Sequence, residues 1–327
     1  MQRRAFMQVI ASTALAAAGC NREGHRKRLI TIIVPSEDNP FFKAEGDAAT
    51  ARAITLGYRV RVDAHMDDAY RQDNLIDFAI ASNAAALVLD NSGSDASVSA
   101  VRRAARAGIA CFLIDRAIAA TGYAKAQIIA DNHQGALLIA TEFARSIGGS
   151  GEYAELLGRE SDTNAQIRTS GFHAVLDKIP GLKLVGAQSA NWSQSEAFQK
   201  TETILQAHPD IAGIIAGNDT MALGAAAAVK EVGRRTIRIT GFDGSPDAIE
   251  AICRGELEAT VLQPAALIAT MAIDQADYFL RTRITNKPEL QLIPCDLVTK
   301  TNADCFANFE KINCNTQSRG YKETQAP

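Results

Sequence analysis

Seven polar side chains with complementary hydrogen-bonding chemistry follow apolar segments of this sequence. They are Asn39, Asp115, Arg116, Arg168, Asn218, Asp243 and Gln263. Carboxylates accept hydrogen bonds, a guanidinium group donates them in a planar fork, and amides do both. Each hydroxyl of a sugar is both a donor and an acceptor, so a buried monosaccharide needs this mixture to leave no polar atom unpaired. The set therefore predicts a site for a small sugar.

Three aromatic residues add apolar surface to this set. Phe41, Phe42 and Trp192 could stack on the C–H faces of a sugar ring, with a sandwich as the resulting arrangement. Phe41 and Phe42 also stand at the start of a helical pattern, where they could instead be core residues.

Local explanations exist for several of the polar residues as well. Asp115 and Arg116 could form an ion pair that closes a strand, and Asp243 lies between glycines, where turns favour aspartate. Asp219 is expected to cap a helix. Polar residues nevertheless recur after most predicted strands in both halves of the chain, which favours a shared binding site.

Catalytic motifs are missing from the sequence. It contains no G-x-S-x-G, no phosphate-binding loop and no H-E-x-x-H, and residues 148–151 follow a helix, the reverse of a phosphate loop. The cysteines show no C-x-x-C pair, so no metal site or cofactor is predicted. Cys305 and Cys314 could form a disulfide or remain buried thiols. We expect a binding protein rather than an enzyme.

The elements that must position these side chains alternate between short apolar strands and helices. The predicted strands span residues 29–34, 58–62, 86–90 and 110–114, and then 153–157, 182–187, 211–216, 237–240 and 259–262. This alternation indicates an α/β fold with two doubly wound, parallel-sheet lobes. Ligands of such sheets bind beyond the carboxyl ends of the strands, which is where the polar residues stand.

Composition and charge are consistent with this architecture. The 327 residues are 47% hydrophobic and 22% charged, and the net charge is −3. The chain is long enough for two domains and apolar enough for a large core. With no long basic run after residue 28, nothing predicts a nucleic-acid partner.

The N-terminus reads as an export signal at residues 1–19. Arg3 and Arg4 precede an apolar run at 9–18, which is too short to span a bilayer, and Gly19-Cys20 follows. Cys20 is a candidate for lipidation, against simple cleavage or an uncleaved anchor. The arginine pair fits the twin-arginine route or an ordinary basic segment. The mature protein is expected to lie outside the cytoplasm, anchored to the membrane through Cys20.

Five segments resemble the periplasmic ribose-binding protein family between residues 29 and 299. They are Asp-Asn-Pro-Phe-Phe at 38–42, Ile-Asp-Arg at 114–116, Ala-Asp-Asn at 130–132, Gly-Asn-Asp-Thr-Met-Ala-Leu-Gly at 217–224 and Gly-Phe-Asp-Gly-Ser-Pro-Asp at 241–247. The resemblance implies a type I periplasmic binding protein fold with a three-segment hinge. It implies a monomer that carries a ribose-like pentose or a related sugar to the permease of an ABC transporter.

Carried over residue by residue, the resemblance assigns the seven polar residues to sugar hydrogen bonds and the three aromatic residues to stacking. Trp192 stands where the ribose binder has phenylalanine, and residues 158–165 depart from the usual loop of the family. The implied hinge positions are Ala130-Asp131, Gln263-Pro264 and Asp296-Leu297. The resulting division is a signal at 1–19, a lipidated linker at 20–28, an N-terminal lobe at 29–130 and 264–296, a C-terminal lobe at 131–263 and 297–312, and a polar tail at 313–327.

An uncharged sugar also sets a condition on the charged side chains. Arg116 and Arg168 must lie near Asp115 or Asp243, so that the charges compensate one another in the closed cleft. Two other functions share this core. A ligand sensor for a receptor kinase or chemoreceptor cannot be separated from a transport protein by sequence, whereas the effector domain of a lactose-repressor-like regulator would need a DNA-binding headpiece before residue 29, where the export signal stands.

Overall fold

The computed structural model describes residues 28–37, 39–234 and 236–312. The predicted export signal at 1–19, the lipidation site Cys20, the linker up to residue 27 and the tail at 313–327 lie outside the described residues. Within the part that is described, none of the helices combines the length and the apolar character that a membrane crossing requires.

Fourteen strands and nine helices follow one another in the described part of the chain. In chain order they are β1 (Leu29–Val34), α1 (Pro40–Thr55), β2 (Arg59–Ala64), α2 (Ala69–Ala81), β3 (Ala86–Asp90), α3 (Val98–Arg106), β4 (Ala110–Ile114), β5 (Ala126–Ala130), α4 (Asn132–Ser146), β6 (Gly151–Leu157), α5 (Thr163–Leu176), β7 (Leu182–Ser189), α6 (Gln194–Ala207), β8 (Gly213–Ala216), α7 (Asp219–Glu231), β9 (Arg238–Thr240), α8 (Pro246–Arg254), β10 (Ala259–Leu262), α9 (Ala265–Thr282), β11 (Leu290–Ile293), β12 (Asp296–Thr299), β13 (Phe306–Ala307) and β14 (Glu310–Lys311).

The first lobe is built on a parallel six-stranded sheet in the order β11-β5-β4-β3-β1-β2. Its central strands β3, β4 and β5 are buried along their whole length, as expected for a sheet covered on both faces. Alternation along β1 sends Ile32 into the core beneath α1 and α9, and Ile33 into the core beneath α2 and α3. This sheet, with helices on both faces, is the first of the two doubly wound lobes predicted from the sequence.

The second lobe repeats the plan with the order β12-β10-β9-β8-β6-β7. All its strand pairs are parallel except β10 with β12, which run antiparallel. Helices α4 and α5 pack against each other, and α6 and α7 form a second pair. The carboxyl ends of β6, β8 and β9 thereby face the same side as the loops that carry the predicted polar residues.

Three connections join the lobes. The chain passes from β5 to α4 at residues 130–132, from β10 to α9 at Gln263 and Pro264, and from β11 to β12 at Pro294 and Cys295. The third crossing lies two residues before the predicted Asp296 and Leu297, because both of these pair with β10 as part of β12. The first and third connections are hydrogen-bonded to each other, since Asp131 N donates to Ile293 O at 2.8 Å.

The close approach of α4 and α5 leads to a prediction about stability. A methyl group added at Gly171 in α5 would lie 2.4 Å from Cβ of Ala136 in α4, so the helices would have to separate. Gly171→Ala is expected to lower the free energy of unfolding in urea by about 1–3 kcal/mol. Gly186→Ala in β7 is the control, because no described atom lies within 4 Å of its added methyl group. Equal stability of the two variants would contradict the packing described.

Candidate functional site

A cavity of about 300 Å³ lies between the two lobes, at the carboxyl ends of their sheets. All ten residues predicted to bind sugar line it, and so do two residues that were not predicted. The lining residues are Asn39, Phe41, Phe42, Asp115, Arg116, Asp162, Asn164, Arg168, Trp192, Asn218, Asp243 and Gln263.

On the first lobe, Asp115 and Arg116 directly follow β4. Asp115 has a left-handed backbone, with φ of 55°, which turns the chain sharply at the end of the strand. Arg116 is only 4% exposed. Its guanidinium group donates to the carbonyl of Asn91 at 3.0 Å and lies 3.6 Å from Oδ2 of Asp115. The ion pair predicted at this strand end is therefore present, although it is only one part of a larger network.

Arg116 also lies near Asp67 and Asp90 of its own lobe, and it contacts one carboxylate of the other lobe. Its Nε lies 2.9 Å from Oδ2 of Asp162, at the start of α5. Beside this contact, Nδ2 of Asn164 donates to Oδ1 of Asp115 at 3.2 Å. These two contacts cross the gap between the lobes, so the structure shows the lobes closed on each other.

Arg168 is the corresponding cation of the second lobe. Its Nη1 donates to the carbonyl of Gly217 at 2.8 Å and to Oδ1 of Asp243 at 3.3 Å. Its Nε donates to Oδ1 of Asn132 at 2.7 Å, and Asp243 also accepts from Nε2 of Gln263 at 2.7 Å. Each arginine therefore pairs with the aspartate that the neutral-ligand argument required.

Two asparagines, one from each lobe, cap helices at the edge of the cavity. Oδ1 of Asn39 accepts from the backbone of Phe41 at 3.0 Å, and Oδ1 of Asn218 accepts from Met221 at 2.9 Å. The prediction that Asp219 caps α7 is wrong, because Asn218 takes that position. Asp219 is buried and instead accepts from the backbone of Ser245 at 2.7 Å. The Nδ2 groups of both asparagines are left to donate elsewhere.

Trp192 and the unusual segment at 158–165 form one unit. Trp192 has a positive φ of 64°, and its Nε1 donates to Oδ2 of Asp162 at 3.2 Å. Its ring lies against Gly158 so closely that a Cβ there would be 2.0 Å from the ring. The two departures from the ribose-binding pattern therefore depend on each other, because the tryptophan needs both the glycine and the aspartate.

Asp162 and Asn164 are the cavity residues that sequence reasoning missed. Both belong to the segment noted as departing from the family, and Asp162 caps α5 by accepting from Asn164 N at 2.9 Å. An aspartate two residues before an asparagine at a predicted helix start, after a strand, was the available signal. It gave no indication that the carboxylate reaches across to the other lobe.

Burial shifts the pKa values of the site carboxyls. It raises the pKa of Asp115 to about 6, an effect that the adjacent Arg116 opposes. Burial also raises the pKa of Asp243, and Arg168 opposes that shift. Both aspartates therefore depend on their arginine to remain charged.

A second pair of carboxyls lies behind Arg116, outside the cavity lining. Glu45 of α1 and Asp90 at the end of β3 are fully buried, and none of their four oxygens has a hydrogen-bond partner among the described residues. Oδ1 of Asp90 is 3.7 Å from Nη1 of Arg116. Burial raises the pKa of Glu45 and that of Asp90 well above their ordinary values, and the charge of Asp90 raises the pKa of Glu45 further, whereas Arg116 opposes both shifts. We infer that the pair holds a proton.

His65 lies beside this pair but adds no positive charge to its surroundings. Its Nδ1 accepts from the backbone of Asp67 at 3.0 Å, so its Nε2 carries the proton and donates to the carbonyl of Asp90 at 2.9 Å. Burial lowers the pKa of His65 to about 4. The imidazole is therefore neutral at neutral pH, and Arg116 is the cation that the pair faces.

Two facing half-sites at the carboxyl ends of two such sheets define a two-lobe solute-binding protein. The model of the periplasmic binding protein domain matches residues 30–283, and the chain belongs to this family. This membership confirms the predicted fold class, the export to the periplasm and the expectation of a binding protein rather than an enzyme.

Individual known proteins narrow the comparison. The chain is 57% identical over 282 residues to the D-apiose import binding protein of Paraburkholderia graminis, covering 85% of this chain and 90% of that protein. It is 32% identical over 268 residues to the ribose import binding protein of Bacillus subtilis, covering 82% and 87%. A solute-binding protein of Actinobacillus succinogenes, solved with D-allose, superimposes with a TM-score of 0.80 at 28% identity, covering 85% and 100%.

The buried pair of Glu45 and Asp90 generates a prediction about pH. Because the raised pKa of Glu45 means that unfolding releases a proton, the stability of the protein should fall as pH rises from the ordinary glutamate pKa toward the folded value. Glu45→Gln keeps the shape but has no proton to release. Between pH 5 and pH 8 the melting temperature of the variant should therefore rise relative to that of the wild type. The expected difference is about 2–4 °C for each kcal/mol of unfolding free energy that the wild type loses.

Glu250→Gln, on an exposed position of α8, is the control and should follow the wild-type curve. Parallel pH profiles for Glu45→Gln and the wild type would show that Glu45 is ionised in the folded protein.

Proposed function

We propose that this protein captures one monosaccharide in the interlobe cavity and delivers it to an ABC importer. The observation that carries the proposal is the cavity itself, because carboxylates, guanidinium groups and amides from both lobes converge on it. The pairing of Arg116 and Arg168 with aspartates suits an uncharged ligand, which adds no charge that would need compensation. Phe41, Phe42 and Trp192 supply the apolar walls.

The sugar that we propose is D-apiose, a branched pentose. The name of the P. graminis relative, at 57% identity, supports this choice over ribose, whose binder is 32% identical. The unit formed by Gly158, Asp162 and Trp192 is the physical feature that would distinguish the two sugars. The indole ring of Trp192 narrows the cavity, and its N–H donates to Asp162 and not to the sugar.

Binding would work by bridging the half-sites. Asn39, Asp115 and Arg116 present their groups from the first lobe, and Arg168 and Asp243 from the second. In an open form each set would face water, and a sugar that contacts both would stabilise closure. The bending would occur at the connections that contain Ala130-Asp131, Gln263-Pro264 and, in place of Asp296-Leu297, Pro294-Cys295.

We also propose that the protein works as a monomer, anchored to the membrane by a lipid at Cys20. The sequence before residue 29 supports the anchor through its export signal and Gly19-Cys20. The import functions of the named relatives favour a transporter partner over a sensor kinase, and the export signal disfavours a DNA-binding regulator.

Asp243 provides the test of the proposed site. Asp243→Ala removes the acceptor shared by Arg168 and Gln263 and leaves a buried guanidinium group underpaired. We expect calorimetry to show D-apiose binding to the wild type and at least a hundredfold weaker binding to the variant, with both proteins folded. Glu250→Ala, an exposed carboxylate on α8, should leave the affinity unchanged.

The same titrations with D-ribose and D-allose test the choice of sugar. Tighter binding of either to the wild type would contradict D-apiose as the ligand, and near-normal affinity of Asp243→Ala would contradict the site.

A further inference from the structure

The C-terminal hairpin of the described chain places an aromatic residue where the backbone disfavours one. Strands β13 and β14 pair antiparallel, and the turn between them consists of Asn308 and Phe309, with φ of 49° and 60°. Two-residue turns with two positive φ values favour Asn-Gly, because a side chain at the second position is strained. Favourable contacts of the Phe309 side chain must therefore offset the cost of this backbone conformation.

Those contacts are with the wall of the candidate sugar site. Phe309 is 2% exposed and packs edge-to-face on Phe41, with ring centroids 5.5 Å apart and planes at 86°. Phe41 packs in the same way on Phe42, at 5.6 Å and 84°. The three rings form a row in the order Phe42, Phe41 and Phe309, of which the first two line the cavity.

The hairpin also links the two lobes. The short helical turn Ala303–Cys305 that leads into it packs on α8 of the second lobe, whereas β14 contacts α9 of the first lobe. Nζ of Lys311 in β14 lies 2.8 Å from Oδ1 of Asp296, at the start of β12. Cys305 is disulfide-bonded, and its predicted partner Cys314 lies outside the described residues. The chain thus leaves the second lobe and buries its tip in the first.

A further opening between the lobes shows why the position of Phe309 matters. It occupies about 970 Å³ and shares Asn39, Phe41, Trp192 and Asp243 with the smaller cavity, and Phe309 forms part of its wall. The Phe41 ring therefore separates the candidate sugar site from a wide space, and Phe309 supports it from that side. Without this support the Phe41 ring could rotate into the space and admit water to the site.

We propose that Phe309 is a positioning residue for sugar binding, which holds the Phe41 ring against the ligand and ties the hairpin of the second lobe to the first lobe in the closed form. This inference rests on the proposed function, since it assumes that Phe41 contacts a sugar. Phe309 itself does not line the smaller cavity and acts through Phe41.

The test replaces the ring without disturbing the turn. Phe309→Asn should keep the hairpin, since asparagine accepts a positive φ, and lose the ring contact. We expect D-apiose to bind about three- to tenfold more weakly, the range that the loss of an aromatic pair implies. The change should appear mainly as faster dissociation, because the link acts in the closed form.

The single tryptophan of the chain makes this measurement direct, because Trp192 lines the cavity and its fluorescence should respond to the sugar. Stopped-flow fluorescence then gives both rate constants. Phe309→Tyr should retain wild-type rates, since the ring contact is kept. Glu310→Ala, exposed beside the same turn, should stay within twofold of the wild type. If Phe309→Asn does not fold, Phe309→Leu carries the test, with about threefold weaker binding expected.

Three outcomes would be decisive. Wild-type affinity and dissociation in Phe309→Asn, with only a lower melting temperature, would reduce Phe309 to a structural residue and overturn the inference alone. A wild type that binds no sugar would overturn the proposed function and this inference with it. Faster dissociation in Phe309→Asn, rescued in Phe309→Tyr, would support the positioning role.

Discussion

The structure depends on the neutralisation of two guanidinium groups that are buried where the lobes meet. Moving a cation out of water costs several kcal/mol unless it is paired and hydrogen-bonded. Arg168 finds its partners within its own lobe, in Asp243 and Asn132. Arg116 has Asp115, Asp67 and Asp90 in its own lobe and gains Asp162 from the opposite lobe. The contact with Asp162 is therefore the part of its pairing that belongs to the closed form.

This asymmetry connects the fold to the proposed function. Arg168 takes its partners from its own lobe, while Arg116 gains a further carboxylate where α5 meets the loop after β4. A neutral, hydroxyl-rich ligand can join the two because it brings hydrogen bonds and no charge. The hairpin whose turn contains Phe309 adds an apolar contact between the lobes. Polar and aromatic contacts thus both join the two lobes in the closed form.

Much of this arrangement could be predicted from the sequence, because strand ends are marked by a change from apolar to polar residues and converge at one edge of a sheet. All ten predicted residues meet at the cavity for that reason. Asp162 could not be found in this way, since its role depends on how closely the lobes approach. The third connection was placed two residues late because the antiparallel pairing that fixes Asp296 in β12 is a tertiary contact.

The most direct test of the account is a crystal structure of the protein grown with D-apiose. We expect one sugar between the lobes, with its hydroxyl groups within hydrogen-bond distance of Asp115, Arg116, Arg168 and Asp243 and its ring beside Phe41. The contact between Arg116 and Asp162 should be present in the complex. A sugar bound elsewhere on the molecule, or a closed cleft that holds only water at saturating sugar, would contradict the central claim that this cavity is the binding site.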